Sequence, residues 1–233
     1  MTGIICAMEV ELEKIKAMMD PIEGEFEYSS VKYYLGKISG KGVVCAVCGV
    51  GKVFAAICAQ TMIMKFHPDE IINVGVAGSL SAELDIADLV VARKLVQHDM
   101  DVTALGEPKG KILGSDIMYI ETDEGIRDKL ISCAFGLNSG SRRVKALQGT
   151  IASGDQFITK KAQKQLLIEE FGAIACEMEG AAIAQVCYVN KLPFCVLRAI
   201  SDSADDKSHM DYPEFVKIAA QNTAEMIMHY MKM

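Results

Sequence analysis

AIACEMEGAAIAQVCYVN, residues 173–190, moves from a short apolar run to two acids around a methionine, a glycine, and a small-residue helical pattern. The run Ala173–Cys176 reads as a buried strand and Gly180–Asn190 as a helix, which makes the stretch a strand-to-helix junction. Glu177 and Glu179 would point in nearly opposite directions on a helix but would share a face on a strand. At a junction only one of them needs to face a pocket. The plain alternative is that Glu179 sits in the first turn and complements the helix dipole.

The same alternation runs through the chain. Candidate strands are Gly3–Cys6, Val31–Ile38, Val43–Val47, Glu70–Val74, Ala87–Val96, Val144–Ala152, Ala173–Cys176 and Phe194–Ile200. Between them lie helical patterns at Val10–Met19, Lys52–Phe66, Glu124–Ala134, Lys160–Glu169, Gly180–Asn190 and Tyr212–Met231. Several strands are apolar without alternation, the mark of a sheet covered on both faces. The predicted fold is α/β, a three-layer sandwich whose central, mostly parallel or mixed twisted sheet is flanked by helices. With no low-complexity linker and few prolines, residues 1–233 are read as one domain. The segment Asp101–Asp123, with Gly106, Pro108, Gly110 and Gly114, breaks the rhythm and reads as a long functional loop.

Composition narrows the partners. The net charge of −7 and the lack of a basic run argue against nucleic acid and against an anionic membrane surface. No apolar run approaches the roughly 18 residues needed to span a bilayer, and MTGIICAMEVELEKI is too acidic for a signal peptide, so a cytoplasmic location is expected. The eight cysteines fall mostly in apolar strand or helix patterns, where free thiols act as small hydrophobes. Cys45 and Cys48 lie within a strand-like run and face opposite sides, so neither metal nor cofactor is expected.

Ligands in α/β sheets gather at the carboxyl ends of strands. Following each strand gives AMEVE, CGVGKV, GVAGSL, SGDQFI, EMEG and SDSAD, which bring carboxylates, glycines and one aromatic to the same rim. CGVGKV is not a Walker loop, because four residues do not separate its first glycine from a Gly-Lys-Ser/Thr, nor a dinucleotide fingerprint, because Phe54 stands where the third glycine belongs. GVAGSL alone reads as a tight turn. Glycosidic cleavage needs an acid for the leaving group and a base for water, and Asp202 and Glu11 come from distant strand ends. Taken singly, Asp202 is better read as a helix N-cap and Glu11 as a solvated first-turn charge. Acids at several independent strand ends shift the balance.

The motifs AMEVE (7–11), CGVGKV (48–53), NVGVAGSL (73–80), DVTALG (101–106), SGDQFI (153–158), CEMEGAAIAQV (176–186) and RAISDSAD (198–205) occur in the order of one family. Over essentially its whole length the chain resembles the 5′-methylthioadenosine/S-adenosylhomocysteine nucleosidases of the purine nucleoside phosphorylase superfamily. The resemblance implies a nucleoside phosphorylase-like fold, a homodimer, and a small-molecule nucleoside substrate. It implies that Glu11 deprotonates the attacking water and that Asp202, held by Ser201, protonates N7 of adenine. Phe157 would stack on the base, the Ile158 backbone would read its edge, and Glu179 would bind the ribose hydroxyls with Met178 against the sugar. Arg198 and Met8 match residues near the water and sugar, while Val50, Val76, Ala77, Gly78 and Glu177 complete the implied pocket, Glu177 in a supporting role. Val102 and Leu105 are implied to enter the pocket of the partner subunit.

This sequence departs from the family pattern at three positions. Val76 replaces a frequent serine, Leu105 a frequent phenylalanine, and Tyr212 a position often occupied by phenylalanine. Three rival readings remain. A phosphorylase would need cations that AMEVE and CGVGKV lack, and Glu11 would repel phosphate. A hydrolase of aminofutalosine or 5′-deoxyadenosine would share the base and ribose contacts. A nucleoside-binding protein without activity would have no need of the acids.

Overall fold

The computed structural model describes residues 1–139, 142–204 and 208–233, with the side chains of 139 and 208–214 excluded. Tyr212, as a side chain, and Asp205 lie outside the described residues. Thr2–Cys6 forms β1, and α1 (Glu9–Lys16) follows it directly. A hairpin of β2 (Ile22–Tyr28), β3 (Val31–Ile38) and β4 (Lys41–Val47) precedes α2 (Lys52–Phe66), β5 (Glu70–Ser79) and β6 (Leu89–Gln97). After a long loop come β7 (Ile120–Glu121), α3 (Glu124–Cys133), and the short ribbon β8 (Asn138–Ser139) and β9 (Arg142–Arg143). The chain ends with β10 (Ala146–Ser153), α4 (Lys161–Phe171), β11 (Ala173–Glu177), α5 (Gly180–Asn190), β12 (Phe194–Asp202) and α6 (Ser208–Lys232).

The predicted α/β architecture is present, with helices on both faces of a ten-stranded mixed sheet. Alternation along β1 shows why. Ile4 and Cys6 pack with Leu12 and Ile15 of α1, Leu130 of α3 and Ile227 of α6. Ile5 points the other way, against Ala59 and Met62 of α2 and Ile183 of α5. Full burial of one such isoleucine is worth ~1.5–3 kcal/mol, and every β1 side chain is buried. Small residues on α2 (Ala55, Cys58, Ala59) and α5 (Ala181, Ala182, Ala184) let these two helices share one core.

The strand order is β11-β10-β6-β12-β5-β1-β4-β3-β2, with the tenth strand, β7, paired to β6 off this path, and β11 also pairs with β5. That extra pairing closes β5, β12, β6, β10 and β11 into a ring. β5, β12, β1 and β4 run parallel to their neighbours within that group, while β11 meets β5 antiparallel through Ala175–Ser79 and Cys176–Gly78. The carboxyl ends of β5 and β11 therefore converge at Gly78 and Cys176. The tight turn expected of GVAGSL is instead strand: β5 runs through Ser79. The edge strand β2, with sequence IEGEFEY, escaped the sequence reading because its residues are exposed or half-buried throughout and show no buried face. The irregular loop contains a 3₁₀ turn, Thr103–Leu105, as well as β7.

Candidate active site

The glycines of β5 are the first constraint on the site. A Cβ on Gly75 would lie 2.8 Å from Glu11 Oε1, and one on Gly78 would lie 3.0 Å from Asp202 Oδ1. The strand leaves out two side chains so that two carboxylates can approach it. Three residues of strand separate the two contact points, roughly 10 Å.

Glu11 sits in the first turn of α1, yet it is 1% exposed, so the solvated-charge reading fails. Its Oε2 accepts the N–H groups of Ala7 and Met8, both at 2.9 Å, and its Oε1 accepts that of Val76 at 3.1 Å. Burial raises its pKa, against the opposing pull of Arg198 and these backbone donors. Three backbone donors leave this carboxylate no freedom to swing away.

Asp202 reaches the cleft through an irregularity. Ile200 pairs with Ala77 and Asp202 pairs with Gly78, so Ser201 is one residue extra in β12. Such a bulge re-aims the side chains beyond it. Ser201 Oγ donates to Asp202 Oδ2 at 3.0 Å, and the Ala204 N–H donates to Oδ1 at 2.8 Å. Asp202 is the last residue of a buried strand, so its position is not that of a helix N-cap.

Glu177 and Glu179 divide their roles as a junction demands. Glu177 ends β11, ion-pairs with Arg198, and accepts the Ser153 hydroxyl. It also accepts the N–H groups of Glu179 and Gly180, at 3.1 and 2.7 Å, so it anchors the start of α5. Arg198 lies behind the cleft, fully enclosed and also bonded to Asn73. Glu179 is the N-cap residue of α5, 5% exposed, with Oε1 accepting the Gly51 N–H at 2.8 Å. Burial, then the nearby Glu177 charge, push its pKa up to about 7, with Arg198 pulling the other way.

Glu11, Glu177, Glu179 and Asp202 line one cleft. Its wall contains Met8, Glu11, Val50, Val76, Ala77 and Gly78 from the β1, β4 and β5 ends. Phe157, Ile158, Glu177, Met178, Glu179, Ser201 and Asp202 line it as well. Ala7, Gln156 and Cys176 also line it and were not singled out from the sequence. Only their adjacency to the motif residues marked them. Arg198 stands behind this lining, and Val102 and Leu105 are away from it, with Leu105 67% exposed. Among the described residues no lysine or arginine lines the cleft.

The family model for the phosphorylase superfamily matches residues 2–232. The chain belongs to that superfamily. Within the superfamily it is similar to the aminodeoxyfutalosine nucleosidase of Campylobacter jejuni, 38% identical over 218 residues, with 93% of each chain covered. It is 36% identical to the 5′-methylthioadenosine/S-adenosylhomocysteine nucleosidase of Shewanella halifaxensis, covering 99% of this chain and 98% of that one. The structure of the Neisseria meningitidis 5′-methylthioadenosine/S-adenosylhomocysteine nucleosidase in complex with methylthio-immucillin-A superposes with a TM-score of 0.92. That pair shares 34% sequence identity and covers 99% of this chain and 98% of the other. This superfamily member is therefore aligned end to end with nucleosidases.

Proposed function

We propose that the protein hydrolyses the N-glycosidic bond of 5′-methylthioadenosine and S-adenosylhomocysteine, releasing adenine and the 5-thio-substituted ribose. The observation that carries this reading is the pair of buried, hydrogen-bonded carboxylates, Glu11 and Asp202, set along β5 in one cleft. Asp202 gives its proton to N7 as the bond from the anomeric carbon to N9 breaks and its electron pair passes to the purine. Glu11 takes a proton from the water whose oxygen bonds to that carbon. Phe157 stacks on the base, the Ile158 backbone reads its edge, and Glu179 accepts the ribose hydroxyls while Met178 packs on the sugar. The surrounding acids favour the cation-like sugar in a water-poor cleft.

The absence of cationic side chains on the described lining favours water over phosphate as the attacking group. The test is incubation with 5′-methylthioadenosine in phosphate-free buffer, followed by chromatography for adenine and an assay for the reducing sugar. Release of both is expected; a requirement for phosphate would overturn the reading.

A second substrate reading is favoured by the similarity to the aminodeoxyfutalosine nucleosidase of Campylobacter jejuni. The base and ribose contacts would be shared, and only the 5′ group would differ. Adenine release from each nucleoside, measured side by side, separates the two.

The outer faces of α2 and α5 support the reading of a homodimer. Val53, Phe54 and Ile57 on α2 and Tyr188 and Val189 on α5 expose a large apolar surface, which a second copy would cover. Val102 and Leu105 would then reach the partner's cleft. Val76, without a hydroxyl, and Leu105, without a ring, make a more aliphatic wall for the 5′ substituent. No helix among the described residues is long and apolar enough to cross a membrane, and with the acidic charge this supports a cytoplasmic protein that binds neither membrane nor nucleic acid.

A further inference from the structure

Three residues outside the cleft lining form a closed ring of hydrogen bonds. The Lys52 N–H, at the first turn of α2, donates to Asp155 Oδ1 at 2.8 Å. The Asp155 N–H donates to Asp99 Oδ2 at 2.9 Å. The Lys52 ammonium closes the circuit on Asp99 Oδ1 at 2.6 Å and also reaches Gln97 Oε1 at 3.1 Å. Distant parts of the chain meet here: the start of α2, the segment after β6, and the loop after β10.

The ring matters because of its neighbours. Gly51, next to Lys52, donates the N–H that holds Glu179. Its φ of 101° suits glycine, and a Cβ there would lie 3.1 Å from Asp155 Oδ1. On the other side, Asp155 precedes Phe157 by two residues in SGDQFI. The Lys52 and Asp99 side chains are only 17% and 15% exposed, so their ion pair is partly shielded from water. Burial works to raise the Asp99 carboxyl, yet the hydrogen bonds from Lys52 and Asp155 outweigh it and hold the group below its ordinary range.

We infer that Asp155 is a positioning residue: through Lys52 and Asp99 it fixes the Gly51 N–H against Glu179 and the seat of Phe157 beneath the base. This role rests on the nucleosidase reading given above. Asp155 itself is not among the residues that line the cleft. It acts on the ribose and base contacts, both of which exist before bond cleavage. The two reacting carboxylates take no bond from the ring: Glu11 is held by Ala7, Met8 and Val76, and Asp202 by Ser201 and Ala204. Loosening the ring therefore weakens ground-state binding more than the chemical step.

The experiment compares steady-state adenine release by the full chain, Asp155→Ala and Asp155→Asn, with thermal melting as a folding control. Asp155→Ala is expected to raise KM about tenfold while kcat stays within about threefold, the scale of one lost hydrogen bond to a charged group. Asp155→Asn keeps the Oδ1 acceptor and the backbone N–H, so its KM is expected within about twofold of the parent. An unchanged KM in Asp155→Ala, a loss in kcat alone, or no rescue by asparagine would each overturn the role. If Asp155→Ala fails to fold, Asp99→Asn opens the ring from the other side and should show the same KM-led loss; a normal KM there also overturns it. An inactive parent protein sinks the nucleosidase reading and this role with it, whereas an active parent with a normal Asp155→Ala sinks this role alone.

Discussion

Asp202 pairs with Gly78 across the β12–β5 ladder because Ser201 is an extra residue in β12. In unbroken register Ser201 would oppose Gly78, and Asp202 would project to the other face of the sheet. The Asp202 carboxylate thus owes its direction to a one-residue irregularity, and its room to a missing Cβ.

Asp202→Asn retains the shape and the Ser201 and Ala204 neighbours but removes the transferable proton. Adenine release is expected to fall by ~10²–10⁴-fold, with an unchanged circular dichroism spectrum. Chromatography of free adenine measures it, and near-normal turnover would contradict the acid role.

Glu11→Gln should cause a loss of similar size, since an amide cannot accept the water's proton. Gly75→Ala tests the same carboxylate without touching it. The new methyl would lie 2.8 Å from Glu11 Oε1 and 3.4 Å from Arg198 Nη1. Displacement of a reacting group by about 1 Å costs on the order of 10²-fold, so kcat should drop while Glu11 remains in the chain.

Glu179 gives a prediction in pH. Its folded pKa, about 7, lies above the ordinary value of 4.5, so between these two the folded state holds a proton that the unfolded state has lost. Its contribution to stability is therefore full below about pH 4.5 and lost as pH rises through 7. At ~1.4 kcal/mol per pKa unit, Glu179→Gln should stabilise the free protein by about 3 kcal/mol at pH 8 and far less at pH 4.5. The same change should impair both substrate binding and turnover. Urea melts at the two pH values check the first part; equal stabilisation at both would refute it.

Val53→Glu places a charge on the most exposed large hydrophobic residue of α2. Dissociation to monomers is expected in light scattering. Activity should fall with assembly if Val102 and Leu105 complete the partner's cleft, and an active monomer would show that they do not.

The sequence made much of this legible, and where it did not, the physics says why. Repeated apolar runs without alternation marked strands buried on both faces, and α2 and α5 fall at their expected bounds. Gly75 and Gly78 misled because glycines in a row usually mark turns; here they mark close approach by carboxylates from elsewhere in the chain. Burial of Glu11 left no local trace either, since a first-turn acid looks the same whether solvated or enclosed. The ring through Lys52, Asp99 and Asp155 joins positions far apart in sequence, which no spacing could reveal.

The additional β11–β5 pairing has a consequence for traffic through the cleft. Strands closed on themselves cannot be parted without breaking a ladder on either side. A nucleoside therefore enters, and purine and sugar leave, without any spreading of the barrel. The Phe157 segment and the turn at Met8 lie outside these ladders, so substitutions at these borders can reshape the cleft while the closed strands stay fixed.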